Sequence, residues 1–133
     1  MTQSITLNKE TILSEIKNIT ARYGKNADNI DMLAVTDDES TSIEILYGKA
    51  MNKFLGEIAR FNPTYSNNVI TIQEPANFNT GIVPLLTSSI SDLILNLTVS
   101  DWLLLANQDP KQFQEAAVNN LSNIKIFINS RTK

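Results

Sequence analysis

Acidic side chains are the first candidates for chemistry in this sequence. Asp37, Asp38 and Glu39 are consecutive, and carboxylates are the hard oxygen ligands that divalent cations prefer. The same run follows Thr36, and this gives the spacing of a capping box, in which Thr36 caps a helix and Glu39 reaches back to it. The spacing therefore favours helix capping over a metal site.

A catalytic site would have to be built from few residue types. The 133-residue chain has no histidine and no cysteine, which excludes Ser-His, Cys-His and zinc-thiolate chemistry. What remains is a pocket that would bring Asp92, Asp101 or Glu57 together with a lysine, and no spacing in the sequence argues for one. We therefore predict that the protein is not an enzyme and that it binds no metal and no cofactor.

The composition describes a folded chain of ordinary character. Hydrophobic residues make up 42% and charged residues 19% of the sequence, which predicts one globular domain over residues 1–133. The net charge is −3, and acidic and basic residues are interleaved. Since no lysine or arginine run is present, we expect no direct binding to nucleic acid.

The hydrophobic periodicity predicts a mainly α fold, a four-helix bundle-like domain with one β-strand or hairpin and a long loop between the second and third helices. The predicted helices are residues 8–23, 37–61, 86–107 and 110–128, and the predicted strand is residues 69–73. Asn8 and Asp109 are in capping positions, and the third helix begins between Pro84 and Ser89. The residues predicted to form the core are Ile16, Leu46, Phe54, Ile94, Leu97, Trp102, Phe113 and Leu121.

The third helix is apolar around most of its circumference. Between Ile90 and Ala106, Asp92, Asn96 and Asp101 interrupt the apolar residues, and a membrane span needs about 20 of them. We therefore interpret this helix as the central one, with the other three packed around it, and not as a membrane span. Complete burial of its leucines is favoured over contact with another subunit.

The predicted strand, "VITIQ", needs a hydrogen-bonding partner. The partner is either a hairpin within the same loop or a strand of another chain, and "SITL" near the N-terminus is the only other candidate strand in this sequence. The long connection over residues 62–84 is the first place to look for a partner contact. The residues predicted to form a subunit interface here are Val69, Ile70, Ile72, Phe78 and Ile82.

The order of the elements resembles a known class of proteins. A helix containing "ILSEIKNIT" leads to a helix that starts at "TDDE" and ends at "IARF". A strand and a "P…F…G…P" loop follow, then the helix "SDWLLLANQ" and the alanine-containing helix "FQEAAVNNLSNIKIFINSR". This order is similar to that of head–tail connector (adaptor or neck ring) proteins of tailed bacteriophages. It resembles in particular the small portal-adjacent structural proteins of Bacteroides-type phages and prophages.

The resemblance implies a structural virion protein. It would form a homo-oligomeric ring, twelvefold like the portal, that bridges the portal protein and a neck or tail protein. DNA would only pass through its channel, and the ring would assemble in the bacterial host cytoplasm and lie at the head–tail junction. Trp102 and Leu103 would anchor the core, Ala116 and Ala117 would allow close helix packing, and Arg131 and Lys133 would complete the subunit or portal interface.

Two alternatives to the connector ring stay open. Another neck or tail-completion ring, such as a stopper or a terminator, would contain more β-structure. A small non-catalytic phage regulatory protein would instead bind its partner through residues 62–84 and would be absent from washed particles.

Overall fold

A computed structural model describes residues 2–25 and 40–130 of the chain. Along the sequence, the strands and helices are β1 (Thr2–Thr6), α1 (Lys9–Lys25), α2 (Ser40–Glu57), β2 (Thr64–Ser66), β3 (Val69–Gln73), α3 (Val83–Leu105) and α4 (Lys111–Ile128). Short 3-10 helices at Ala59–Phe61 and Thr80–Ile82 lie after α2 and before α3. The protein is mostly helical with a small three-stranded antiparallel sheet, which confirms the mainly α prediction.

The helix ends follow the local sequence. Asn8 Oδ1 accepts a hydrogen bond from the Thr11 amide at 3.1 Å, as a capping residue does. Asp109 Oδ1 accepts one from the Lys111 amide at 3.0 Å, but the N-cap of α4 is Pro110, one residue later than predicted. Helix α3 starts at Val83 with Pro84 in its first turn, so the predicted start between Pro84 and Ser89 was too late. The proposed capping residues of the second helix, Thr36 and Glu39, lie outside the described residues.

The sheet has the order β1-β3-β2, and both pairs are antiparallel. The central strand β3 has the bounds that the sequence predicts. Both partners considered within this chain are found, because β2 forms the hairpin and β1 overlaps the candidate strand "SITL". A two-residue turn joins β2 to β3, and its residues Asn67 and Asn68 have φ values of 51° and 64°. Both values are positive, as in the type I′ turn that suits a tight hairpin. The strand therefore finds its partners within the chain, on both of its edges.

Helix α3 is the central helix, because it packs against α1, α2 and α4. Ten of its residues are buried, and they are spread around the helix. By length and composition alone, residues Thr80–Leu105 would suffice to cross a membrane, because an 18-residue window within them has a mean hydropathy of 1.6. Packing within the protein also explains the apolar character of α3, since three helices pack against it. That the chain does not enter a membrane stays a prediction.

The predicted core is largely found. Six of the eight predicted residues are buried, namely Ile16, Leu46, Phe54, Ile94, Trp102 and Phe113. Leu97 and Leu121 are only half-buried, because they line a groove that α2 and α4 leave open above α3.

Complete burial of the leucines of α3 was a wrong expectation. Leu85, Leu104 and Leu105 are exposed by 55%, 53% and 73%. Leu85 lies in the first turn of α3 and the other two lie in its last turn, where neighbouring helices no longer surround it. Apolar surface is thus left at both ends of the central helix.

Candidate functional site

The structure does not bring the predicted interface residues together on an open surface. Ile70 and Ile72 are fully buried and Phe78 is buried, so the prediction that these three residues face another chain was wrong. The register explains why: Ile70 pairs with Ile5 on one side and Tyr65 on the other, on the sheet face that meets the core. Val69 and Ile82 are half-buried.

The remaining predicted contact residues, Arg131 and Lys133, lie outside the described residues. The same holds for the acidic run Asp37, Asp38 and Glu39. Within residues 2–25 and 40–130, no group of three or more aspartate or glutamate side chains converges to hold a metal ion.

The candidate site is a groove of about 310 Å³ between α2 and α4, with α3 as its floor. Most of the side chains that line it are apolar: Phe54 from α2, Leu93 and Leu97 from α3, and Ala117, Val118 and Leu121 from α4. Its volume is at the lower end of the range of ligand pockets in proteins. An apolar groove of this kind gains free energy when another apolar surface covers it.

Helix α3 also carries an apolar residue, Leu104, just outside the groove. Leu93, Leu97 and Leu104 are separated by four and seven residues, so they share one face of α3. Leu93 is buried and Leu97 half-buried, while Leu104 is 53% exposed. The apolar stripe thus becomes more accessible toward the C-terminal end of α3.

Two hydrogen bonds help to position α4 on α3. Asn96 Nδ2 donates to Asn120 Oδ1 at 2.7 Å between the middle parts of the two helices. A backbone bond joins the segment before α3 to the segment after α4, where the Asn79 amide donates to the Ser130 carbonyl at 3.2 Å. These contacts hold the α4 wall of the groove in place relative to its floor.

Polar side chains are placed around the apolar lining. Lys53 and Glu57 come from α2, Ser100 and Asp101 from α3 and Gln114 from α4. Lys125 Nζ lies 3.4 Å from Glu57 Oε2, and both side chains are substantially exposed. Because the groove is bordered by both signs of charge, it suits a partner that is apolar in the middle and charged at its edges.

Two of the three acidic residues named for a possible catalytic pocket line this groove. Glu57 and Asp101 line the groove together with Lys53, whereas Asp92 is exposed and does not line it. Among the described residues, the only ion pair is that between Glu57 and Lys125. A general acid or base must be within hydrogen-bonding reach of a reacting group, and no hydrogen bond joins Asp101 to Lys53 in the described part of the chain.

A second unusual position is Tyr47, which is 2% exposed. Among the described residues, its hydroxyl oxygen is the one buried side-chain polar atom without a hydrogen-bond partner. Burial, and then the neighbouring Tyr65, raise the pKa of Tyr47 well above its ordinary value. Lys9 Nζ lies 5.4 Å from the centre of the Tyr47 ring, which is a cation–π contact.

Sequence reasoning missed the residues that open the groove. The buried stripe of α4 consists of Phe113, Ala117, Ile124 and Ile128. Val118 lies off that stripe and is 65% exposed, and an apolar residue outside the stripe was the available signal for a second contact surface. Lys53 and Gln114 carry no signal of their own, because charged and polar residues are expected on the outer face of a helix.

Comparison with protein-family models, with curated proteins and with solved structures finds no match.

Proposed function

We propose that this chain is a non-catalytic structural protein of a tailed-phage virion. It forms a homo-oligomeric ring at the head–tail junction and bridges the portal protein and a neck or tail protein. The phage assignment is supported by the resemblance in element order. Its assembly part is supported by a separate observation, the apolar surface at the C-terminal end of α3.

That surface is the observation that carries the proposal. Leu104 and Leu105 are exposed by 53% and 73% at the end of a helix in which ten residues are buried. Fully burying an exposed leucine is worth about 1.5–3 kcal/mol, and covering these two partly exposed side chains gains roughly half or more of that for each. A neighbouring copy that covers them is stabilised by this burial, and repetition of a head-to-tail contact closes a ring when its rotation fits.

The proposed interface is therefore on α3 and not on the sheet. The buried residues Ile70, Ile72 and Phe78 belong to the fold of one copy. The net charge of −3 agrees with a channel through which DNA passes, because attraction to phosphate comes mainly from lysine and arginine.

The first experiment is the solution mass by light scattering over a concentration series, with electron micrographs of the same fractions. A ring of about a dozen copies is expected from the portal symmetry. The substitution Leu105→Asp should remove the ring and leave the helical circular dichroism unchanged, because Leu105 is exposed. Asn107→Asp is the matched control, since it adds the same charge two residues away at an exposed polar position.

A monomer at every concentration would reject self-driven ring formation. In that case, copurification with washed virions distinguishes the remaining possibilities. A protein bound to particles would be a ring assembled on the portal, whereas a protein found only in infected cells would be a regulatory protein. A regulatory protein is thus the second candidate function. The observation that favours it is the groove between α2 and α4, which offers a binding site for one partner protein.

A further inference from the structure

We propose that the groove between α2 and α4 binds an amphipathic helix of a partner protein, and that a lysine or arginine of this helix faces Asp101. The inference does not depend on ring formation, because it concerns the walls and floor of one copy. It assigns the groove an occupant of stated chemistry, and three features of the groove define that occupant.

The first feature is the structure of the walls. Both walls and the floor are helices, and no strand contributes to the lining. The backbone groups within helices are already hydrogen-bonded to each other, so the groove cannot add a peptide as an extra strand. Contacts must come from side chains, and an amphipathic helix makes such contacts through apolar residues at positions i, i+4 and i+7.

The second feature is the length of the floor. The part of α3 that lines the groove runs from Leu93 through Leu97 to Ser100 and Asp101, a separation of eight residues along the helix. At 1.5 Å per residue, this distance is about 12 Å, or roughly two helical turns. Val118, exposed by 65% on the α4 wall, adds apolar surface beside the floor. A partner helix of about three turns would cover the floor and leave Leu104 outside the contact.

The third feature is the charge inside the groove. The carboxylate of Glu57 is already paired with Lys125, whereas Asp101 takes part in no ion pair among the described residues. Asp101 is half-buried on the floor, so an occupant would remove it from water. Burying an unpaired carboxylate is strongly unfavourable, and a basic group on the occupant removes this cost. Lys53 is exposed at the rim and can keep its ammonium group in water.

The test uses two synthetic peptides of about 14 residues with fluorescent labels. Both peptides have blocked termini and form amphipathic helices with leucines at positions i, i+4 and i+7. They differ at one position next to the leucines, which is lysine in one peptide and glutamate in the other. Fluorescence anisotropy measures their binding to the full chain. We expect the lysine peptide to bind at least about tenfold more tightly than the glutamate peptide. The substitution Asp101→Lys should reverse this preference.

Two exposed residues of α4 provide a matched pair of variants. Val118 and Ile126 are exposed by 65% and 66%, but only Val118 lines the groove. Val118→Asp should abolish the binding of both peptides, and Ile126→Asp should leave it unchanged. Because both positions are exposed, circular dichroism should show the same helicity for both variants and the natural chain.

The proposal is overturned if the two peptides bind equally well, if Asp101→Lys leaves their order unchanged, or if Ile126→Asp weakens binding as much as Val118→Asp. It is also overturned if neither peptide binds and Val118→Asp converts an oligomer to a monomer, because a second copy is then the occupant. The ring proposal is tested separately by Leu105→Asp without any peptide, so the two can fail independently.

Discussion

The ammonium group of Lys125 lies 3.4 Å from the Glu57 carboxylate and joins α4 to α2 beside the groove. Just after the ends of α2 and α4, Arg60 Nη2 donates a hydrogen bond to Asn129 Oδ1 at 3.1 Å. The two helices are thus linked by polar side chains at this end, and Glu57 is at the same time part of the groove wall. The contact positions the α2 wall relative to the α4 wall.

The Glu57–Lys125 pair should contribute little to stability. Its side chains are 40% and 52% exposed, and exposed ion pairs typically contribute about 0.2–1 kcal/mol. We expect Glu57→Gln and Lys125→Gln each to lower the free energy of unfolding by less than about 1 kcal/mol. Urea unfolding of the natural chain, both variants and the double variant gives the interaction free energy between Glu57 and Lys125. This free energy should become smaller in high salt. A coupling that is several times larger and insensitive to salt would contradict this account.

The two faces of β3 should respond differently to a charge. Ile70 is fully buried, so Ile70→Asp places an unpaired carboxylate in the core and should cost about 4 kcal/mol or more. The protein should lose cooperative thermal unfolding and much of its helical circular dichroism. Thr71 is the matched control on the same strand, since it lies on the opposite face between Ser4 and Thr64.

Thr71→Asp should cost only about 1 kcal/mol, the span of strand propensities. If Ile70→Asp left the fold intact and changed only the mass in solution, the assignment of this face to the core would be wrong, and a subunit contact through β3 would be restored.

The sequence allowed the long elements to be predicted, because their signals are repeated over many residues. β3 alternates clearly, and Asn8 forms the expected capping hydrogen bond, whereas Asp109 lies one residue before the N-cap Pro110. A hairpin was one of the predicted alternatives, but β2 could not be located, because three residues, Thr64–Ser66, are too few to show a period. The pattern of β3 also marked one face as apolar without showing what covers it, and this is why Ile70 and Ile72 were assigned to an interface.

The groove could not be predicted for a related reason. Hydrophobic periodicity shows that Leu97 and Leu121 lie on the apolar faces of their helices, but it does not show how closely α2 and α4 approach each other. The distance between two helices depends on the packing of residues far apart in sequence. Only the three-dimensional arrangement therefore separates a core leucine from one that lines a groove.

The hairpin turn offers a test of the β2–β3 pairing. Asn67 has a φ of 51°, which glycine adopts easily and β-branched residues adopt at a cost of about 1–2 kcal/mol. Asn67→Gly should leave the melting temperature unchanged or raise it slightly, whereas Asn67→Val should lower it by several degrees. Asn67 is exposed, so lost packing does not explain the difference. Equal melting temperatures for the two variants would argue against a turn with positive φ here.

Tyr47 should make the stability depend on alkaline pH. Its pKa is raised in the folded state by burial and then by Tyr65, so the fold binds the neutral phenol more strongly than the phenolate. This contribution is fully present below the unfolded pKa of about 10 and is lost as the pH rises toward the folded pKa. Urea unfolding measured between about pH 8 and pH 11 should show that the free energy of unfolding falls as the pH rises.

The variant Tyr47→Phe isolates this contribution from that of other groups. It removes a buried hydroxyl whose neighbour is Tyr65, so the free energy of unfolding at neutral pH should change by no more than about 1 kcal/mol. The decline above pH of about 10 should become smaller than in the natural chain. Tyr65→Phe removes a hydroxyl that donates to Asn68 Oδ1 at 3.1 Å, which should cost about 1 kcal/mol, and because Tyr65 contributes to the raised pKa of Tyr47 this variant should reduce the alkaline decline only in part. A loss of several kcal/mol in Tyr47→Phe would mean that its hydroxyl has a partner that stabilises the fold.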